Sequence, residues 1–330
     1  MDGKTVQAIP SVVSTAYYGE DESVFSSISH SFRELALEWE GKKFIVGERA
    51  LRDDSQAARF LSADRIFRDE YKALLGAVIL ADDGEGPKQI NSGLPYKTTK
   101  ELRNKLKQII QDFHGPLKGL SGAIQGRKWN GRIESVNVFR QAEAMIFDAV
   151  FQIEQGKIVP IRDHVLLEVP GTRVAVVDIG AGTTDVIVCE ILPEFKVIEE
   201  LSFTIPLASN AVGNRIQREF QHRYGEDTLD LRRLDYAVMG QKITHNGHIL
   251  DFTSVRNEAV RSIGGQIRDQ IVEKWGKAIR SIFVTYLGGG GAELFQDTIV
   301  GQIHPNVFKI NEPQGSNARG YYKMQYFLQK

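Results

Sequence analysis

Apolar and polar positions alternate with two different periods along this chain. Phe32-Arg33-Glu34-Leu35-Ala36-Leu37-Glu38-Trp39 follows, in part, a period of two, and Lys43-Phe44-Ile45-Val46-Gly47 comes after a Glu40-Gly41-Lys42 turn, so two short strands are expected. Another short strand is expected over 6–13. Across 57–81 the apolar residues Ala57, Phe60, Leu61, Tyr71, Leu74, Leu75, Val78 and Ile79 recur at helical spacing. Residues 88–95 read as a short strand running into a Gly93-Leu94-Pro95 turn. Thr98 with Glu101 fits a capping box for a helix that carries Leu102, Leu106, Ile109, Ile110 and Phe113 and stops near Gly115-Pro116. Trp129-Asn130-Gly131-Arg132 has the chemistry of a hairpin turn. A strand ending at Val136 and Val138 then leads into a helix over 141–153.

The second half of the chain is more apolar in its strands. Val174-Ala175-Val176-Val177 and Val186-Ile187-Val188 form two apolar runs joined by a glycine-rich turn. A helix is expected over 209–224. Ser254 opens a long amphipathic helix through Val255, Ala259, Ile263, Ile267, Ile271 and Trp275. Ser281 to Leu287 reads as a strand running into Gly288-Gly289-Gly290-Gly291, with a helix from Ala292. A last helix is expected over 321–328. Strands and helices in this order predict an α/β fold. No internal repeat is visible. Residues 155–170 read as a boundary, dividing the chain into domains 1–160 and 161–330.

Composition narrows the function classes. The chain has 330 residues, 42% hydrophobic and 25% charged, which suits a folded protein with a sizeable core and excludes a disordered or collagen-like one. Lys and Arg number 41 against 42 Asp and Glu, so no global basic excess points to direct nucleic-acid binding. Cys189 is the only cysteine, which excludes a disulfide framework within the chain and suits a reducing cytoplasm. No apolar run approaches the ~18 residues of a membrane span, and the first residues carry no apolar export signal.

Three groups of residues carry candidate chemistry. In Asp178-Ile179-Gly180-Ala181-Gly182-Thr183-Thr184-Asp185, Gly180 and Gly182 would let the backbone turn tightly and aim N–H groups at an anion. Thr183 and Thr184 would add hydroxyl donors, and Asp178 could hold Mg²⁺ through water. The alternative is a plain hairpin whose turn needs glycine. Gly288, Gly289, Gly290 and Gly291 lie between a strand and a helix N-terminus, where backbone can approach a ribose and phosphate; the alternative is a flexible loop. Neither motif is a Rossmann fingerprint or a Walker A loop. Gln141 and Glu143 open a helix and could orient a water against a γ-phosphate, or simply cap or face solvent. His245 and His248 flank Asn246-Gly247 and read as a hairpin turn rather than a metal pair. Arg215, Arg218, Arg232 and Arg233 read as solvated helix faces, or as flanks of an adenine pocket.

Together these residues resemble the actin-like ATPases, within the superfamily of actins, sugar kinases and chaperone ATPases. Asp178 to Asp185 is similar to the family's second phosphate motif. Tyr286-Leu287-Gly288-Gly289-Gly290-Gly291 is similar to its adenosine motif, and Phe139-Arg140-Gln141-Ala142-Glu143-Ala144 to its connecting segment. Phe44-Ile45-Val46-Gly47-Glu48, Asn91-Ser92-Gly93-Leu94-Pro95 and Asn317-Ala318-Arg319-Gly320-Tyr321 resemble the prokaryotic branch of ParM-type and archaeal actins. The resemblance implies two α/β domains around a nucleotide cleft, with the C-terminal helix returning to the first. It implies ATP or GTP with Mg²⁺ as ligand, Asp178 as the metal residue and Gln141 and Glu143 in the water-positioning segment. It also implies Gly180, Ala181, Gly182, Thr183, Thr184, Asp185 and Gly288 to Gly291 as the nucleotide-binding residues. Self-assembly into a cytoplasmic filament follows, for plasmid segregation or a prokaryotic cytoskeleton, with DNA reached only through an adaptor. One departure stands out. The family opens with a strand and an Asp-x-Gly phosphate loop, whereas Asp2-Gly3-Lys4 here resembles the hairpin turn after it, so the first phosphate clamp is expected to be missing. The rival readings are a non-polymerising small-molecule kinase of the same superfamily and a catalytically degenerate nucleotide-binding scaffold.

Overall fold

The computed structural model describes residues 6–15, 32–54, 57, 59, 63–82, 85–161, 169–191, 195–225 and 228–328. The expected turn at Asp2-Gly3 and the helical positions Phe60 and Leu61 lie outside the described residues.

The first sheet is built from β1 (Val13–Ser14), β2 (Glu34–Trp39) and β3 (Lys42–Gly47), with β5 (Leu117–Ser121) and β6 (Lys128–Trp129). Its order is β1-β3-β2-β5-β6, antiparallel throughout. Trp39 pairs with Lys42, so the β2–β3 loop is only Glu40-Gly41. Both residues have positive φ, the backbone that a two-residue hairpin with right-handed strand twist requires. Leu35, Leu37, Phe44 and Val46 bury against α2 (Asp69–Ala81) and α3 (Lys100–Gln111). The strand expected over 6–13 shrinks to Val13–Ser14. The cap of α3 is Thr99, not Thr98: its hydroxyl accepts from the Leu102 N–H at 3.2 Å.

β4 (Lys88–Leu94) and β7 (Ile133–Arg140) form a separate parallel pair. The hairpin expected at Trp129–Arg132 therefore does not form, because β7 turns away from β6 to lie beside β4 while Arg132 bridges to His114. α4 (Gln141–Val150) follows directly. It is shorter than the expected 141–153, because Phe151–Glu154 (β8) folds back on Lys157–Pro160 (β9).

The second sheet has order β12-β11-β10-β16-β17, where β10 is Arg173–Ile179, β11 Thr184–Glu190, β12 Lys196–Val197, β16 Ile282–Gly288 and β17 Val307–Lys309; β13 (Phe203–Ile205) also pairs with β11. β10–β11 is antiparallel, while β10–β16 and β16–β17 are parallel. The central strands read as continuous apolar runs because both faces are covered. Val174, Val176, Ile187 and Cys189 pack with α4 through Met145 and Ile146. Ala175, Val177, Ile179, Val186 and Val188 face the opposite way, against α5 (Asn210–Tyr224), α7 (Thr253–Trp275) and α8 (Ala292–Ile299). Helices on both faces of a mixed sheet, parallel from β10 through β16 to β17 and antiparallel on the β11 side, are the α/β class that the element order predicts.

β14 (Ile243–His245) and β15 (His248–Leu250) form the hairpin expected at Asn246-Gly247, and His245 packs edge-on against Phe220, 4.9 Å between ring centroids. α6 (Leu231–Val238) precedes it, and α1 (Glu48–Asp53) lies against α6 across the molecule. α9 (Ser316–Leu328) starts five residues before the expected Tyr321. It packs on α4 and β4. Among the described residues no helix is long and apolar enough to cross a membrane.

Candidate functional site

The parallel register of β10 and β16 sets Asp178 beside Gly288, and the antiparallel register of β10 and β11 sets it opposite Asp185. Both strands end at the same level, so the 180–183 turn and the glycine run after β16 open on one cavity of about 400 Å³. Gln141 at the start of α4, Asn317 at the start of α9, and Leu94, Pro95 and Thr98 after β4 line its other walls.

The turn is held from behind by α5. The Ser209 hydroxyl donates to Gly180 O at 2.9 Å, and the Asn210 N–H donates to Ala181 O at 2.9 Å. In a planar trans peptide the C=O and the following N–H point in opposite directions. The Ala181 and Gly182 N–H groups therefore point away from α5. Neither Gly180 nor Gly182 has a positive φ, so turn geometry does not demand glycine at these two positions. A Cβ at Gly182 would meet nothing within 4 Å; its absence keeps that space open for another group.

The glycine run works differently from a flexible loop. Gly289 has φ +83°, and a Cβ there would lie 2.3 Å from Asp178 Oδ1 and 2.5 Å from Ile179 O. Gly291 donates to Ile179 O at 2.8 Å, and its Cβ would strike the Ile179 side chain. A Cβ at Gly288 would meet Met145 at 2.8 Å. Gly288 and Gly291 are thus packing glycines, the first leaving room for Met145 of α4 and the second lying against Ile179 of β10, and only Gly289 and Gly290 line the cavity.

Asp178 is 6% exposed. Its Oδ2 accepts from the Asn317 amide at 3.0 Å. Burial pushes its pKa up to about 7 and Asp185 adds to the rise, while the Asn317 bond opposes it. Asp185 accepts from Thr204 Oγ1 at 2.5 Å and from the Tyr96 N–H at 3.2 Å, tying the chain after β4 to β11. Burial raises its pKa as well.

Not every expected residue reaches the cavity. Asp178, Gly180, Ala181, Gly182, Thr183, Asp185, Gly289, Gly290 and Gln141 converge there. Thr184 does not serve as a hydroxyl donor: it is fully buried and its Oγ1 donates to Leu207 O at 2.8 Å, because alternation along β11 turns it inward. Glu143 lies one turn into α4, paired with Arg140 at 2.9 Å and off the cavity wall. None of Arg215, Arg218, Arg232 or Arg233 lines it either. Sequence reasoning assigned no role to Asn317 or Tyr321. Both sit in the Asn317–Tyr321 motif, and a polar motif at a helix start close to the chain's end was the available signal. The Tyr321 ring stacks on Phe139 at 5.9 Å, and a Cβ at Gly93 would collide with it, so Gly93 makes room for this ring. Asn317 Oδ1 and Ser316 Oγ are buried with no hydrogen-bond partner among the described residues, and the buried Tyr321 hydroxyl lies beside the Gln141 side chain.

Two family profiles match the chain. One describes the N-terminal domain of actin-like proteins and covers residues 1–143; the other describes the C-terminal part of an archaeal MreB-like actin homologue and covers 176–301. No curated protein matches. Among solved structures, a 15-stranded ParM filament from Clostridium botulinum is similar at 22% identity, over 96% of this chain and 92% of that one, with a TM-score of 0.80. A non-polymerisable quadruple mutant of pCBH ParM is similar at 20% identity, over 98% and 93%, with a TM-score of 0.77. The archaeal actin homologue Ta0583 in complex with ADP is similar at 18% identity, over 88% of each chain, with a TM-score of 0.70. The fold is that of the actins, and the chain belongs to the actin-like proteins that the two profiles describe.

Proposed function

We propose that this chain is an actin-like ATPase that binds ATP, or GTP, with Mg²⁺ in the Asp178 cavity and assembles with copies of itself into filaments. The observation that carries the reading is convergence. A strand-end aspartate with the turn of outward N–H groups that follows it, an open pair of glycines and a helix-start glutamine come from three separate parts of the chain and line one cavity. The ParM filament and the ADP complex of Ta0583 support it by fold.

The residues present fit a hydrated divalent cation with phosphate. Asp178 and the orphaned Asn317 Oδ1 are hard oxygen donors, the set that Mg²⁺ takes while keeping several waters. When bound, Mg²⁺ supplies positive charge against the phosphates. Asp178 then holds the cation through water and is ionised in doing so. The backbone N–H groups of 181–183 and the Thr183 hydroxyl donate to phosphate oxygens, and Gly289 and Gly290 let the nucleoside side lie close to backbone. Gln141 orients the attacking water, so catalysis is mostly positioning and electrostatics. A role in plasmid segregation or a cytoskeleton, through an adaptor rather than direct DNA contact, suits the near-zero net charge.

High-speed pelleting of the purified chain tests this. Pelleting that requires Mg–ATP and is lost in Asp178→Ala is the expected result. A folded chain that stays in the supernatant with and without Mg–ATP removes the filament claim.

A further inference from the structure

We propose that Asn317 is a positioning residue for the divalent cation: it orients the Asp178 carboxylate and offers its own side-chain oxygen to the cation's water shell. The inference rests on the nucleotide reading of the cavity and adds a residue to it. Asn317 and Asp178 lie 139 residues apart and meet only because α9 packs on α4, which brings its first turn to the mouth of the β10–β11 hairpin.

The amide is used on one side only. Its Nδ2 donates to Asp178 Oδ2 at 3.0 Å, which fixes the plane of the carboxylate and leaves Oδ1 facing Gly289. That same bond sets the other end of the amide. Asn317 Oδ1 is shielded from solvent, and no donor among the described residues reaches it. An unsatisfied buried amide oxygen is destabilising, so such a group persists where a ligand completes it. Two acceptor oxygens, from Asp178 and Asn317, suit the protons of metal-bound water better than they suit phosphate, which would be repelled by both. A lysine or arginine at 317 would instead neutralise Asp178 and displace the cation.

The test is the metal dependence of nucleotide affinity, read with a fluorescent ATP analogue titrated in Mg²⁺ and in EDTA, with thermal melts to confirm folding. The wild-type chain is expected to bind more tightly in Mg²⁺. In Asn317→Ala that gain shrinks about 10-fold, the size of one hydrogen bond to a charged group, while the EDTA affinity holds within about twofold. Asn317→Gln keeps both the amide donor and the acceptor oxygen and retains the gain; it also serves as the test should the alanine variant not fold. Equal gains in wild type and Asn317→Ala, or equal losses in Mg²⁺ and EDTA, overturn the inference and leave the nucleotide reading standing. So does loss of the gain in a folded Asn317→Gln. A wild-type chain that binds no nucleotide overturns both.

Discussion

Asp178 is a carboxyl group held where its charge is poorly solvated. In the unfolded chain it titrates at the ordinary 3.8, and in the nucleotide-free fold at about 7. Between those values the fold keeps a proton that the unfolded chain has released, so stability falls as pH rises through this window. Below it both states are protonated and nothing is lost; above it the penalty is constant. Asp178→Asn is expected to remove this slope. Urea melts should show the variant gaining on the wild type from pH 4 to pH 8, and curves that stay parallel would refute the assignment. At this scale the sequence was readable for chemistry and weak for orientation. Asp178 and Gly182 stand where motif reading put them. Thr184 looked equivalent to Thr183, yet strand alternation buried it.

At the scale of elements, α9 is pinned to α4 by a buried charge cluster. Asp148, with a side chain 4% exposed, accepts from Arg319 at 2.7 Å and from Lys323 at 2.8 Å, and Arg319 also donates to Asn311 O at 2.8 Å. The close approach is possible because a Cβ at Gly320 would stand 1.9 Å from Ala144 O. Removing the Asp148 carboxylate leaves Lys323 with only a backbone carbonyl, and Arg319 with backbone carbonyls and the more distant Glu312 carboxylate at 3.8 Å. Asp148→Ala is therefore expected to cost about 3–5 kcal/mol and to speed amide exchange along α9. Unchanged exchange there would show that apolar packing alone holds the helix. The hairpin β10–β11 was legible because its apolar runs are adjacent and the turn between them is rich in glycine. The parallel pair β4–β7 was not, because its partners lie some 45 residues apart, as in Asn91 with Asn137, and parallel pairing leaves no turn in the sequence.

Across the whole molecule, one contact spans the side of the fold where α1 and α6 meet. Arg59 grips Asp235 with both guanidinium nitrogens, a bidentate pair between residues 176 apart. Both side chains are partly exposed, 31% and 25%, so the pair is worth about 1 kcal/mol or less. Its effect is geometric: it ties the segment before α2 to α6 of the second core. Arg59→Asp and Asp235→Arg are each expected to enlarge the radius of gyration in X-ray scattering, and the double exchange to restore it. Additive enlargement in the double variant would show that the pair does not set this spacing. The sequence by itself determined the α/β class, most of the strands and helices, and the Asp178–Asp185 and Gly288–Gly291 motifs. These follow from interactions between residues close along the chain, where periodicity reports which face is buried and glycine reports where backbone must turn or be approached. Only the tertiary structure decided that Asn317 meets Asp178, that Thr184 and Glu143 do not reach the cavity, and that Gly288 and Gly291 serve packing. Those outcomes depend on which buried faces touch, and contacts across more than a hundred residues leave no periodic mark in the sequence.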